Sequence, residues 1–192
     1  MEQLFDIRTE ELELKYSAED IKLADFVKFA EASTPEKRLE IASWDIYYSG
    51  SGLPFEFVRF RNGPGPELTI KIKTDDKNNN HRTEVDLPLL EGVPEWLVMK
   101  FVSLMGFKEN FRVYKYCDIY YFEKIDVVYY IIYDKNMQEV GRRVEIEARK
   151  DYPFKSAEEA IAEVKAMEQK MSAIGITPQK RMKKSNWEQF KK

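Results

Sequence analysis

Glu11-Leu12-Glu13-Leu14-Lys15-Tyr16 is the stretch that decides the fold, because ionised and apolar side chains alternate along it. A period of two places Leu12, Leu14 and Tyr16 on one face of a β-strand and the three charges on the other. The stretch therefore predicts a first strand, over residues 12–16, with one face that is wholly ionised.

The same alternation recurs in most of the other predicted strands. Their ionised positions are Arg59, Arg61, Lys71, Lys73, Arg82, Glu84, Asp86, Lys115, Glu145 and Glu147. On a single strand such a face is most often exposed to solvent, because antiparallel sheets commonly face water on one side. Across the whole set, however, these positions are almost free of the Ser, Thr, Asn and Gln that a solvent face usually mixes with its charges. The joint pattern favours ionised faces that are turned inward.

Apolar faces that point outward need helices to cover them, and the sequence supplies such helices. Helical periodicity predicts them over residues 17–29 with Ser17 as N-cap, over 94–106, and from Ser156 as N-cap to Gly175 as the end. The remaining strands are expected at 44–49, 55–61, 68–74, 82–87, 111–117, 120–133 and 142–149. The predicted fold class is therefore α+β, a closed antiparallel β-barrel with a charged interior, flanked by helices.

The overall composition limits the partners. Lys and Arg number 31 and Asp and Glu 34, so no strong net charge favours nucleic acid or an anionic membrane. The apolar runs are too short to span a bilayer. The single cysteine excludes an intramolecular disulfide and, with no signal-peptide pattern at the start of the sequence, favours a cytoplasmic location.

We expect residues 1–192 to form a single domain, with the C-terminal helix and basic tail over 155–192 packed on the barrel through Trp187. The sequence does not decide the oligomeric state, which could be a monomer or a homodimer.

Charges that are enclosed in a barrel are costly unless each is paired or binds a ligand. Arg and Lys hold polyphosphates through charge-assisted hydrogen bonds. Carboxylates would repel such a ligand unless Mg²⁺ or Mn²⁺ lies between, because hard cations take oxygen ligands from carboxylates and phosphates together. The mixed interior therefore predicts a site for a polyphosphate, with Mg²⁺ or Mn²⁺ as the cofactor.

The ordered set of motifs resembles the CYTH family of triphosphate tunnel metalloenzymes. Glu11-Leu12-Glu13-Leu14-Lys15 matches the N-terminal E-x-E-x-K motif of that family. The later motifs fall in the family's order and approximate spacing: Arg59-Phe60-Arg61, Lys71-Ile72-Lys73, Arg82-Thr83-Glu84-Val85-Asp86, Glu145-Ile146-Glu147, Gly175-Ile176-Thr177-Pro178 and Lys184-Ser185-Asn186-Trp187. The similarity spans almost the whole chain and implies an eight-stranded antiparallel tunnel.

The resemblance also implies roles for the charged residues. The metal ligands would be Glu11, Glu13, Glu145 and Glu147, assisted by Glu84 or Asp86. The phosphates would be held by Lys15, Arg59, Arg61, Lys71, Lys73, Arg82 and Lys115. If the reaction is hydrolysis, we expect Lys15 or Lys115 to be catalytic and to help orient or deprotonate a metal-positioned water that attacks the terminal phosphorus. An acidic residue usually precedes the last motif. Asp134 is the nearest candidate by spacing, although it could equally be a turn former, and Asp126 is the alternative metal ligand.

Members of the family include thiamine triphosphatases, inorganic triphosphatases and class IV adenylyl cyclases. We therefore expect a metal-dependent triphosphate phosphohydrolase that acts on inorganic triphosphate, a nucleoside triphosphate or thiamine triphosphate. Cyclase members tend to carry a His-Phe pair where this chain has Phe5-Asp6, which favours hydrolysis over the formation of cyclic AMP from ATP. The cyclase stays as an alternative.

A second departure from the family's pattern concerns the phosphate ligands. Lys115-Tyr116-Cys117 stands where the family often shows K-x-R, so one ligand is missing or is replaced by Arg112 from another face. This departure leaves open a module that binds phosphorylated ligands without turnover. His81, the sole histidine, is expected at the surface rather than as a general base.

Overall fold

Eight antiparallel strands form a closed barrel in the computed structural model, which describes residues 10–50, 55, 57–72 and 81–191. The strands are β1 Glu10–Ser17, β2 Lys37–Ser49, β3 Val58–Asn62, β4 Glu67–Ile72, β5 His81–Pro88, β6 Lys108–Tyr121, β7 Ile125–Tyr133 and β8 Glu139–Ala148. The helices are α1 Leu23–Ala32, α2 Glu95–Leu104, α3 Ala157–Met171 and α4 Asn186–Phe190. Around the barrel the strands follow the order β1-β5-β4-β3-β2-β6-β7-β8. The predicted α+β barrel is confirmed.

The first and last strands are neighbours, and this pairing closes the barrel. Glu13 lies opposite Glu147, and Lys15 lies opposite Glu145, in the β1–β8 ladder. On its other side β1 pairs with β5, where Glu11 lies opposite Arg82. Charged motifs that are far apart in sequence therefore meet on three adjacent strands.

The apolar faces of the strands point outward and are covered by helices, as predicted. Leu12, Leu14 and Tyr16 of β1 are buried in one cluster with Phe26 of α1 and Val164 of α3. Burial of a large apolar side chain of this kind stabilises the fold by about 1.5–3 kcal/mol. The second outer cluster joins β2, β3 and β4 to α2 through Ile46, Phe60, Leu68, Val98 and Val102. The charged faces are thereby left to line the interior.

Two of the predicted helix starts are confirmed and one is wrong. The Ser156 side chain accepts a hydrogen bond from the Glu159 backbone N–H and caps α3, and α2 begins directly after Pro94. Helix α1, however, begins at Leu23 rather than after Ser17. Ser17 is still paired in β1, and the Ala18 N–H donates to the Arg142 carbonyl, so the sheet holds the backbone at this point. Within the described part of the chain, no helix is long and apolar enough to cross a membrane.

The largest differences from the predicted strand bounds are in β2, β6 and β7. Strand β2 begins at Lys37, seven residues before the predicted start at 44, because its first half extends the ladder with β6, which continues to Tyr121. The turn between β6 and β7 falls at residues 122–124 rather than near Asp118. Asp118 is fully buried and its carboxylate accepts hydrogen bonds from Arg38 at 2.9 and 3.0 Å, so it links β6 to β2 instead of forming a turn.

One end of the barrel is filled by aromatic side chains and by α4. The Trp187 ring stacks on Phe57 and Phe111, with centroid separations of 5.1 and 5.7 Å, as expected from its predicted return to the barrel. Ser185 and Glu188 form a capping box that fixes the start of α4. Helix α4 is therefore packed against aromatic side chains of β2 and β6.

Candidate functional site

The interior of the barrel contains a cavity of about 430 Å³ that is lined mainly by charged side chains. Twelve of the residues predicted for the site line it: Glu11, Glu13, Lys15, Arg59, Arg61, Lys71, Arg82, Glu84, Asp86, Lys115, Glu145 and Glu147. Lys73 and the side chain of His81 lie outside the described residues. The structure thus brings nearly all of the predicted residues together in one tunnel.

Most of the carboxylates occupy one wall of this tunnel. They come from β8, β1 and β5, which are adjacent in the barrel, and they are Glu145, Glu147, Glu11, Glu13, Glu84 and Asp86. We call this group the acidic wall. Its members lie side by side because inward-facing residues of neighbouring strands stand within reach of one another.

Three glutamates of the acidic wall form its tightest group. One carboxylate oxygen from each of Glu11, Glu84 and Glu147 lies within 4.8 Å of the others. Burial, followed by repulsion from Glu11 and Glu84, raises the pKa of Glu147 well above its usual value. Burial and the neighbouring Glu11 also raise the pKa of Glu13. Repulsion between carboxylates therefore adds to burial at Glu147 and Glu13, and a divalent cation bound among carboxylates relieves such repulsion.

Basic side chains dominate the opposite wall, on β3, β2 and β6. This basic wall consists of Arg59, Arg61 and Lys115, and it is organised by Asp45, which is fully buried. Arg61 Nε lies 3.0 Å and Lys115 Nζ 2.7 Å from the Asp45 carboxylate. Burial alone would raise the pKa of Asp45, but Arg61, Lys115 and Arg59 outweigh it and hold the pKa well below its usual range. Glu67 accepts from both arginines, at 3.0 and 3.2 Å.

Two further basic side chains lie among the carboxylates. Arg82 reaches Glu11 at 2.7 Å and Glu13 at 2.6 Å, and Lys71 forms ion pairs with Glu11 and Glu84. Burial would lower the pKa of Lys71, but the two carboxylates outweigh it and raise the pKa. Both side chains are therefore cations that are paired with the acidic wall.

Lys15 lies within the acidic wall and is paired with two of its carboxylates. Its Nζ lies 2.6 Å from Glu145 and 3.2 Å from Glu13. Burial would lower the pKa of Lys15, but these two carboxylates outweigh it and raise the pKa well above its usual value. The Tyr130 hydroxyl donates to Glu145 at 2.8 Å, and Lys15, Lys115 and Tyr130 together lower the pKa of Glu145 to about 2 despite burial. Lys15 is thus a fixed ammonium group.

The structure places Asp126, rather than Asp134, in the tunnel. Asp134 lies in the turn between β7 and β8, where its carboxylate accepts from the backbone N–H groups of Asn136 and Gln138. This is the turn-forming arrangement, so Asp134 is not brought to the acidic wall. Asp126 lines the cavity, and burial raises its pKa to about 7 although Arg149 partly offsets the effect.

Cys117 and Arg112 occupy opposite faces of β6. The Cys117 side chain lines the cavity, and burial raises the pKa of its thiol to about 11, so it is neutral at neutral pH. Arg112 lies outside the tunnel and pairs with Glu109 at 2.7 Å and Glu95 at 3.1 Å. Arg112 therefore does not replace the arginine that the family often shows at the position of Cys117.

Several residues of the site were missed by the sequence analysis. The most important are the lining residues Glu67 and Lys150 and the fully buried Asp45, which pairs with Arg61 and Lys115. Glu67 could have been found, because Glu67, Thr69 and Lys71 continue one alternation along β4. Lys150 follows the end of β8 and pairs with Glu84 and Asp86, at 2.7 Å each, which no strand periodicity indicates.

No protein-family model matches the chain, and no curated protein matches its sequence. Solved structures do share its fold. A conserved hypothetical protein from Pyrococcus furiosus is 21% identical with a TM-score of 0.72, and the match covers 92% of this chain and 97% of that one. A protein from Pyrococcus horikoshii is 18% identical with a TM-score of 0.73, with 95% and 99% covered.

A third solved structure is a candidate adenylate cyclase from Vibrio parahaemolyticus. It is 12% identical with a TM-score of 0.65, and the match covers 92% of this chain and 94% of that one. At such identities the likeness shows a common fold. The tunnel fold that the CYTH resemblance predicted is thereby confirmed.

Proposed function

We propose that the tunnel binds a triphosphate together with Mg²⁺ or Mn²⁺ and hydrolyses its terminal phosphoryl group. One observation carries this proposal: a carboxylate wall on β8, β1 and β5 faces a basic wall on β3, β2 and β6 across a cavity of about 430 Å³. A polyanion with bound metal is the small ligand that satisfies both walls at once.

The basic wall suits the phosphate chain. Arg59 and Arg61 present guanidinium groups, whose planar donor arrangement fits phosphate oxygens in pairs. Their present partners are the carboxylates Asp45 and Glu67, and they can exchange part of this pairing for phosphate oxygens. Lys115 adds a third charge beside them. The fully buried Asp45 keeps this group in place, which limits the ordering that binding would require.

The acidic wall suits a hard divalent cation. The carboxylates of Glu11, Glu84 and Glu147 lie within 4.8 Å of one another, and oxygen ligands of this kind are those that Mg²⁺ and Mn²⁺ prefer. Glu13, Glu145 and Asp86 flank them, and Asp126 lies on the neighbouring β7. When bound, such a cation neutralises phosphate charge and lowers the pKa of a coordinated water.

The lysines act as cations rather than as bases in this proposal. Carboxylate partners raise the pKa of both Lys15 and Lys115, so neither has a free lone pair to accept a proton at neutral pH. Of the two roles expected for these lysines, orientation is therefore favoured over deprotonation. Lys15 would hold the phosphoryl group that is attacked and Lys115 the remaining phosphates, where their charges stabilise the transition state.

A cyclase is the second candidate function, because a Vibrio parahaemolyticus protein described as a candidate adenylate cyclase has the same fold. The same walls would hold ATP, but the ribose hydroxyl would attack in place of water. Cys117 is neutral and stands where the family often has an arginine, so one phosphate ligand is missing from the tunnel. A module that binds phosphorylated ligands without turnover is therefore a third candidate function.

One assay distinguishes these functions. Purified protein is incubated with inorganic triphosphate, ATP or thiamine triphosphate and with Mg²⁺ or Mn²⁺, and the products are separated. Phosphate release without cyclic AMP supports the proposed hydrolase, and cyclic AMP with pyrophosphate supports the cyclase. Tight metal-dependent binding with no product from any substrate would identify a binding module and overturn the proposed hydrolysis.

A further inference from the structure

A continuous patch of large apolar side chains is exposed on the outside of the barrel, on β5, the loop after it and α2. We call it the α2 face, and it consists of Val85, Leu87, Leu90, Trp96, Leu97, Phe101, Leu104 and Met105. Leu90 is 85% exposed, Leu104 75% and Trp96 67%. None of these side chains lines the tunnel, so the patch has no part in the function proposed above.

Helix α2 is apolar on both sides, which is unusual for a helix at the surface. Val98 and Val102 are buried against the barrel. The exposed side carries the rows Trp96, Lys100, Leu104 and Leu97, Phe101, Met105, in which successive residues are four apart and so lie next to each other. A helix that is hydrophobic all round is typically buried on all sides. The exposed side of α2 therefore lacks a cover within the described part of the chain.

Strand β5 extends the patch beyond the helix. Leu87 lies opposite Leu68, and Val85 lies opposite Ile70, in the β4–β5 ladder. Residues directly opposite one another point to the same face of a sheet, and Leu68 and Ile70 belong to the cluster that α2 covers. Val85 and Leu87 therefore stand at the edge of α2, and the exposed surface is continuous from strand to helix.

The area of the patch matches that of one side of a stable interface. Taking about 200 Å² for a fully exposed large side chain, these eight residues expose roughly 950 Å². The largest apolar patch on a typical monomer is about 300–600 Å². One partner in a stable protein–protein complex buries about 800 Å².

The charges around the patch favour a protein partner, and in particular a second copy, over a membrane. Helices that lie on membranes carry polar faces rich in Lys and Arg, whereas α2 has one basic residue, Lys100, and acidic neighbours in Glu91 and Glu95. In a two-fold symmetric dimer, a contact between residue i of one copy and residue j of the other is repeated between residue j of the first and residue i of the second. Lys100 and Glu91 are exposed and of opposite charge, so one such contact would form two ion pairs.

We propose that the α2 face is a homodimer interface, in which α2 and the outer side of β5 pack against the same elements of a second copy. The Trp96, Phe101 and Leu104 side chains form its centre. Large aromatic side chains at the centre of an interface carry most of the binding free energy.

The test is sedimentation equilibrium of the full chain over a wide range of protein concentration. The variants are Trp96→Glu and Leu104→Glu, with Met137→Glu as a matched control, because Met137 is 52% exposed in the turn between β7 and β8, outside the patch. We expect the unmodified protein and the control to be dimers. The two patch variants should raise the dissociation constant roughly 30-fold or more, and circular dichroism should show their fold unchanged.

Two results would overturn this interface. One is a protein that stays monomeric at the highest concentration measured, and the other is a dimer whose dissociation constant is the same in the patch variants and the control. A second measurement tests whether the protein sediments together with vesicles that contain phosphatidylserine. A monomer that sediments with them, and does so less as Trp96→Glu, would identify a membrane-binding face instead.

Discussion

Lys15 and Glu145 lie directly opposite each other in the β1–β8 ladder, and Lys15 Nζ is 2.6 Å from Glu145 Oε1. This ion pair joins the first charged motif of the chain to the last one. The Tyr130 hydroxyl donates to the same carboxylate oxygen at 2.8 Å. The closure of the barrel and the arrangement of the acidic wall therefore depend on the same pair of strands.

The Glu147→Gln variant tests the acidic wall. Burial and the neighbouring Glu11 and Glu84 raise the pKa of Glu147, so an uncharged amide removes repulsion. We expect the variant without metal to melt roughly 2–4 °C higher than the unmodified protein, which corresponds to about 1 kcal/mol at this chain length. It should lose most of the stabilisation that Mn²⁺ gives. Thermal unfolding with Mn²⁺ and with a chelator measures both effects.

Glu139→Gln is the control for this experiment. Glu139 is also on β8, but it is exposed and pairs with Arg142 at 2.7 Å. Its variant should keep the full response to Mn²⁺. An equal Mn²⁺ response in Glu147→Gln would show that this carboxylate does not contribute to a metal site.

The Arg61→Lys variant tests the basic wall. Lysine keeps the charge beside Asp45 but loses the paired donors that fit phosphate oxygens. We expect the dissociation constant for inorganic triphosphate, measured by calorimetry with Mn²⁺, to rise roughly tenfold, or about 1.4 kcal/mol. The control variant Arg112→Lys, on the outer face of β6, should leave this dissociation constant unchanged. The assignment of Arg61 fails if the two variants bind triphosphate equally well.

Strict alternation made part of the fold predictable from the sequence. Along β1 every second residue is ionised and the others are apolar, so both the strand and its inward face follow from the pattern. Strand β2 gave no such signal. Its inward residues Ser43, Asp45 and Tyr47 alternate with Trp44 and other large side chains, so both faces contain aromatic rings and Asp45 was not identified.

The helix starts and the turns were predicted less well, because tertiary contacts decide them. Ser17 has the chemistry of an N-cap, but pairing with β8 holds it in a strand. Asp134 and Asp126 both precede the last motif, and only the register of β7 against β8 shows which one faces the tunnel. Spacing along the chain alone cannot supply that register.

The Trp187→Ala variant tests the packing of α4 on the barrel. Trp187 is buried and stacks on Phe57 and Phe111, so its removal should leave a cavity and lower the free energy of unfolding by about 3–5 kcal/mol. Urea denaturation measures this loss. Met137→Ala, at an exposed position, should change the free energy by less than about 0.5 kcal/mol. A small loss in Trp187→Ala would mean that α4 is not firmly packed.

The Asp126→Asn variant has a pH-dependent effect on stability. The folded-state pKa of Asp126 is raised from 3.8 to about 7, so between these values the folded protein binds more protons than the unfolded chain. Ionised Asp126 therefore costs stability progressively as the pH rises from about 4 to 7, and fully above that range.

Asparagine removes this cost. We expect Asp126→Asn to raise the free energy of unfolding by on the order of 2 kcal/mol at pH 8, after a discount for partial solvent screening, and by little near pH 4. Urea denaturation across this pH range gives the comparison. A gain that is independent of pH would contradict the raised pKa.

Calorimetric titration of inorganic triphosphate into the protein, with Mn²⁺ and with a chelator, tests the central claim most directly. We predict one binding site per chain, tight binding only with the metal, and loss of that binding in Glu13→Gln although its circular dichroism is unchanged. Absence of triphosphate binding with both Mn²⁺ and Mg²⁺, or equal binding in Glu13→Gln, would contradict a tunnel built to hold a metal-bound triphosphate.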